Sequence, residues 1–137
     1  MIIADTGFWL ALANEADRFH AQARARLAEL SDPLVTTWPV VAETCHLLMR
    51  DCGPASQQAF LHSYEQAAFD VFDLERSHVP RLTELMAEYA DLPMDLADAS
   101  LVLLAEHLGH GRILSTDPRD FHAYRWKQRH PFENLLL

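Results

Sequence analysis

The chain has 137 residues, of which 50% are hydrophobic and 23% charged, with a formal net charge of −9; it fits one globular domain over 1–137, without bias toward disorder or repeats. The acidic balance excludes a protein that coats nucleic acid indiscriminately. No apolar run, LVLLA at 101–105 included, approaches the length needed to span a bilayer, and with no basic segment ahead of a signal-type core the chain reads as cytoplasmic.

Residues 1–4, MIIA, read as a short buried strand, and Thr6-Gly7 turns the chain into a helix over about 8–14. Asp5 therefore ends the strand. Alone, it or Thr6 is most simply a helix cap. A helical pattern over 17–30 leads into LVTTW at 34–38, the second strand.

The next helix, over 39–52, carries Glu43 near its start. Glu43 shares a face with Val40 and Leu47, while Val41, Cys45 and Leu48 line another. A helix apolar on two faces is buried, and a buried Glu needs a partner. Cys45 and Cys52 lie ~10.5 Å apart along the same helix, beyond disulfide reach, and read as reduced thiols.

Gly53-Pro54 breaks the chain before a helix over 55–67; FDVFDL at 69–74 is a third strand, followed by a helix over 78–90. After DLPM at 91–94, a helix over 95–108 opens with Asp95 at its cap and Asp98 three residues on, in the manner of a capping box. Asp98 shares its face with Leu101, Val102 and Ala105, so it points inward. His107 and His110 flank the helix end and complement its dipole. RILST at 112–116 is the fourth strand, with Asp117 directly after it; a short helix follows Pro118, and ENLLL at 133–137 is the fifth strand.

Strands alternating with helices predict an α/β fold, a mostly parallel central sheet of about five strands flanked by helices. Ligands of such sheets bind beyond the carboxyl ends of the strands. Asp5, Glu43, Asp117 and the amino end of the helix bearing Asp95 and Asp98 all reach that edge. Two unit charges ~4 Å apart repel by about 4 kcal/mol at an effective dielectric of ~20, and the only lysine, Lys127, is remote in sequence. A bound divalent metal resolves the repulsion, and all-oxygen ligands suit Mg²⁺ or Mn²⁺ rather than zinc.

Five of the eleven basic residues, Arg112, Arg119, Arg125, Lys127 and Arg129, fall in the last quarter among Phe121, His122, Tyr124, Trp126 and His130. Such a mixture can stack bases and hold phosphates, or simply form a solvated end or a subunit contact.

The order Asp5-Thr6 after an apolar strand, Glu43 in a post-strand helix, Asp98-Ala99 opening an apolar helix, and Ser115-Thr116-Asp117 followed by Asp120-Phe121 resembles the PIN-domain ribonucleases, most closely the toxin halves of VapBC-type toxin-antitoxin pairs. The resemblance covers essentially the whole chain. It implies a three-layer PIN-like fold and a metal-dependent endoribonuclease whose acidic site is Asp5, Glu43, Asp98 and Asp117. Asp5 and Asp98 match the principal metal-coordinating positions; Glu43 and Asp117 bind directly or through water. Asp95 is an additional acid, and Thr6 and Ser115 or Thr116 orient a carboxylate or a water. It further implies Mg²⁺, with Mn²⁺ as a substitute, a homodimer and a cognate antitoxin. The acidic balance points to a structured RNA approached through a local basic surface, for which Arg112, Arg119 and Arg125 are the candidates.

Other readings fit less well. A haloacid-dehalogenase-type phosphatase requires a second Asp where this chain has Gly7, and a receiver domain requires paired acids after the first strand and a lysine on the fifth, where this chain has no suitable one. A DNA-directed nuclease of the same fold, or a catalytically silent binding module that keeps the acids as caps, are the alternatives within the fold.

Overall fold

The computed structural model describes residues 1–137. Three successive apolar residues with no exposed face call for a strand paired on both edges and covered on both faces, and Ile2–Ala4 (β1) takes that place, each residue no more than 1% exposed. The other strands are β2 (Leu34–Thr37), β3 (Asp70–Phe72), β4 (Arg112–Leu114), β5 (Arg125–Trp126), β6 (His130–Pro131) and β7 (Glu133–Asn134). Five of them form one sheet in the order β3-β2-β1-β4-β7, every neighbouring pair parallel.

The helices are α1 (Thr6–Ala13), α2 (His20–Glu29), α3 (Trp38–Cys52), α4 (Pro54–Glu65), α5 (Val79–Glu88), α6 (Leu96–Leu108) and α7 (Asp120–Ala123). They flank the sheet, as the alternating pattern predicts. α6 is the most enclosed: every residue from Ala99 to Ala105 is buried, and the helix packs on β1, β2, α3 and α5. Gly109 ends it in the left-handed conformation at φ 78°, which only glycine adopts without strain. None of these helices is long and apolar enough to cross a membrane.

Buried polar groups tie the sheet to its helices. Thr36 Oγ1 donates to the Ala4 carbonyl at 2.8 Å, and Thr37 Oγ1 lies 2.6 Å from Ser100 Oγ. Thr37 therefore spends its hydroxyl on α6 and leaves α3 without a side-chain cap. The close pairing holds β2, β1 and the amino half of α6 in one block, and with it the edge where the acids gather.

Three local expectations change. α2 starts at His20 rather than near 17, because Asn14 Oδ1 and Asp17 Oδ1 accept the N–H groups of Ala16 and Phe19 and hold turns there. α3 is not buried on both faces: Trp38 and Met49 are exposed, and Glu43 is half-buried in its second turn. The aromatic and basic run near the end is a two-stranded antiparallel ribbon, β5 with β6, whose turn passes through Lys127 and Gln128 at φ 49° and 66°.

Candidate active site

The carboxyl end of β1 delivers Asp5, and its side chain does two things at once. Oδ1 accepts the Thr6 N–H at 2.7 Å, capping α1 as the sequence suggests; Oδ2 accepts the Ser115 hydroxyl at 3.1 Å. Ser115 stands at the end of β4, the strand beside β1, and its Oγ in turn accepts the Asp117 N–H at 3.0 Å. Asn134 clamps this serine from β7: Nδ2 donates to the Ser115 carbonyl at 3.0 Å and Oδ1 accepts its N–H at 3.3 Å. Neighbouring strand ends thus share one hydrogen-bonded loop around the first carboxylate.

Burial pushes the Asp5 carboxyl up to about 6, and the charges of Glu43 and Asp117 add to it, against the lowering effect of the Thr6 and Ser115 hydrogen bonds. Glu43 and Asp117 are therefore electrostatic neighbours of Asp5, as the topology predicts. Glu43 makes no hydrogen bond or ion pair within the chain. Half-buried rather than buried, it keeps its carboxylate accessible to solvent.

Asp98, in the first turn of α6, is pushed up to about 7 by burial, then by the charges of Asp95 and Asp5. Asp95 is exposed and caps α6 through Oδ1, which accepts the Asp98 N–H at 2.9 Å. Only half of the anticipated capping box forms. The Asp98 carboxylate does not return to the Asp95 N–H; its Oδ2 accepts the Tyr124 hydroxyl at 3.2 Å.

Asp117 caps the turn that opens α7, with Oδ1 accepting the N–H groups of Arg119 at 2.9 Å and Asp120 at 3.2 Å. Burial raises its pKa, but those N–H groups and a hydrogen bond with the Asp120 carboxyl outweigh it and hold Asp117 below the usual range. Asp120 moves the other way, raised by burial and by Asp117. The two carboxyls shift each other in opposite directions. Asp120 is a member of the acidic group that the sequence reading left out, although it lies in the same STDPRD stretch; Tyr124 and Asn134 had no motif to mark them.

Of the proposed orienting residues, Ser115 alone reaches a carboxylate through its hydroxyl. Thr6 serves Asp5 through its backbone, and its buried Oγ1 has no partner; Thr44 Oγ1, next to Glu43, is in the same condition. Thr116 instead covers Gly7: a Cβ built on that glycine would lie 1.9 Å from Thr116 Oγ1. The close approach of the first turn of α1 to the loop after β4 leaves no room for a side chain at position 7.

Two of the three candidate arginines are committed elsewhere. Arg112 opens β4 at the amino edge of the sheet, opposite the acids, and pairs with Asp32 at 3.0 Å. Arg125 Nη1 donates to the carbonyls of His122, Ala123 and Tyr124 at 2.8, 3.2 and 2.9 Å. Arg119 alone is exposed beside the acids, where its charge acts on both Asp117 and Asp120.

None of the ion pairs in the fold includes Asp5, Glu43, Asp95, Asp98, Asp117 or Asp120. No three Asp, Glu, His or Cys side chains converge closely enough to enclose a metal as they stand. The donor set nonetheless suits a hard divalent cation: oxygen atoms only, half-buried, with no cation of the chain paired to them. Mg²⁺ keeps several waters and takes one or two carboxylates, so an open group of acids fits it better than an enclosing cage.

The PIN domain family model matches residues 2–127. The chain is 28% identical over 124 residues to "Ribonuclease VapC26" of Mycobacterium tuberculosis, covering 90% of this chain and 92% of that one. It is 42% identical over 53 residues to "23S rRNA-specific endonuclease VapC20" of the same organism, 39% of this chain and 40% of the relative. The crystal structure of that organism's VapC20, described as a "Sarcin-Ricin loop cleaving toxin", superimposes with a TM-score of 0.81 at 23% identity over 87% of this chain and 92% of the other. The shared fold includes the five-stranded sheet and its flanking helices.

Proposed function

The chain belongs to the PIN domain family, and from that premise we propose that it is a single-domain, metal-dependent endoribonuclease of the cytoplasm, the toxin of a toxin-antitoxin pair. The observation that carries this reading is the gathering of Asp5, Glu43, Asp98 and Asp117 at one sheet edge with no protein cation paired to any of them. Asp5 and Asp98 hold the divalent ion, Mg²⁺ or Mn²⁺; Glu43 and Asp117 complete its surroundings directly or through water, and Asp120 tunes Asp117. Asp95 acts as the helix cap. When bound, such an ion lowers the pKa of a water and offsets the charge that develops on the phosphodiester.

The chain's own contribution is placement. Ser115 keeps the Asp5 carboxylate oriented, and the Ser115–Asn134 clamp keeps the two strand ends together. Of the three arginines expected from the sequence, Arg119 alone is left to offer the phosphate contact. A net charge of −9 gives little nonspecific attraction to RNA, so the substrate is a folded RNA recognised by shape, in keeping with the ribosomal target in the VapC20 name. The partners are a second copy, forming a homodimer, and a cognate antitoxin protein.

Incubating the purified protein with structured cellular RNAs in Mg²⁺ or Mn²⁺, beside EDTA and Asp5→Ala controls, tests the proposal. Discrete cuts that vanish in both controls support it. Cutting that persists in EDTA, or cutting of matched DNA alone, refutes it.

A further inference from the structure

We infer that Tyr124 is a positioning residue for Asp98, fixing through one hydrogen bond where this carboxylate stands in the acidic group. The inference rests on the metal-nuclease reading above and assigns a role to a residue outside the four acids. Asp98 occupies the helix position from which a side chain ordinarily reaches back to the cap residue's N–H. Here that return bond is missing, and the only hydrogen bond the carboxylate accepts comes from the Tyr124 hydroxyl at 3.2 Å. The tyrosine draws Asp98 away from a purely local capping role.

The phenol is built to stay where it is. Tyr124 has no exposed surface, and its ring packs edge-on against Tyr89 at 5.0 Å and Phe121 at 5.2 Å. The next residue locks the backbone: the Arg125 N–H donates to Tyr89 Oη at 3.0 Å, and its guanidinium holds the carbonyls of 122–124. Arg125, which the sequence suggested as an RNA contact, is thus a staple for the segment that carries the phenol. An ordinary phenol stays protonated across the physiological range, so the hydroxyl is available as a donor.

A tyrosine serving only the core would matter through its ring, which Tyr124→Phe preserves. A positioning tyrosine matters through its hydroxyl. Outer hydrogen-bond partners of metal ligands typically contribute 10- to 100-fold in metal affinity when removed. The test is calorimetric titration of chelator-stripped protein with Mn²⁺, together with the melting temperature of the metal-free protein. Tyr124→Phe is expected to melt within a few degrees of the wild type without metal while its Mn²⁺ affinity falls 10- to 100-fold, and to lower kcat on RNA more than it raises KM. Phe121→Leu, which loosens the same ring cluster but keeps the Tyr124 hydroxyl, should bind Mn²⁺ within twofold of the wild type.

Unchanged Mn²⁺ affinity in Tyr124→Phe overturns the inference while leaving the nuclease reading intact, as does an equal fold-loss in Phe121→Leu. If Tyr124→Phe melts far lower, Phe121→Leu still decides: a packing defect weakens Mn²⁺ binding in both variants, loss of the hydroxyl in Tyr124→Phe alone. Absence of Mn²⁺ binding by the wild type overturns the metal reading itself, and this inference with it.

Discussion

The Ser115 hydroxyl stands between two acids that sit 112 residues apart in the chain: it donates to Asp5 Oδ2 at 3.1 Å and accepts the Asp117 N–H at 3.0 Å. Ser115→Ala removes both contacts from a site with no other hydroxyl on Asp5. Loss of a buried hydrogen bond of this kind costs about 1 kcal/mol of stability, whereas loss of an orienting partner for a metal-binding carboxylate costs 10- to 100-fold in function. RNA cleavage by the variant should therefore fall by one to two orders of magnitude with a melting temperature only a few degrees lower. Cleavage at the wild-type rate would remove Ser115 from the site.

Gly7 lies under Thr116, whose Oγ1 would be 1.9 Å and Cβ 3.2 Å from an added Cβ. Rotation of Thr116 relieves the first contact but not the second, so Gly7→Ala is expected to destabilise the protein by about 1–3 kcal/mol and to displace the loop that carries Asp117. Thr116→Ala removes the 1.9 Å contact but keeps the Cβ at 3.2 Å, so it should restore only part of what was lost. Gly7→Ala with Thr116→Ala is therefore expected to melt higher than Gly7→Ala alone, and equal melting temperatures would place the strain elsewhere.

The acids were legible in the sequence because each sits where two rules coincide, a strand end or helix start in a parallel sheet and an apolar run beside it. Asp5, Glu43, Asp98 and Asp117 follow from that coincidence, and α6 from an apolar run that starts at a cap and stops at Gly109. The sequence was silent where side chains, rather than periodicity, decide. The β5–β6 ribbon turns through Lys127 and Gln128 at positive φ, so no glycine announces it. Arg112, Arg119 and Arg125 look alike in the sequence, and only contacts distant in the chain separate the one paired to Asp32 from the one beside the acids. Tyr124 reaches Asp98 from 26 residues away, in a stretch whose aromatic residues otherwise read as core.

Asp95 and Asp98 have the same charge, three residues apart, and different work. Asp95 is exposed and caps α6; Asn caps a helix as well as Asp does, so Asp95→Asn should leave the fold and most of the metal response unchanged. Asp98 faces Asp5 electrostatically. A ligand at 100 times its Kd stabilises a folded protein by about 2.7 kcal/mol; under such Mg²⁺ or Mn²⁺ excess the rise in melting temperature should persist in Asp95→Asn and disappear in Asp98→Asn. Equal losses in the two variants would contradict the division of roles.

Without metal, the same acids make stability fall as pH rises. Asp5 is pushed from 3.8 up to about 6 and Asp98 up to about 7, in each case first by burial and then by neighbouring acids. Between pH 4 and 7 the folded chain therefore holds protons that the unfolded chain has already released. Their contribution to stability is complete below about pH 4 and is lost as pH climbs through the two folded-state values, in the sense fixed by proton linkage. An amide at either position has no proton to lose. In chelator at pH 7.5, Asp98→Asn should be more stable than the wild type by on the order of 1–3 kcal/mol, and near pH 4 the two should match. Denaturant unfolding at the two pH values measures this difference directly, and a variant less stable than the wild type at pH 7.5 would show that Asp98 is held by attractions stronger than the like charges around it.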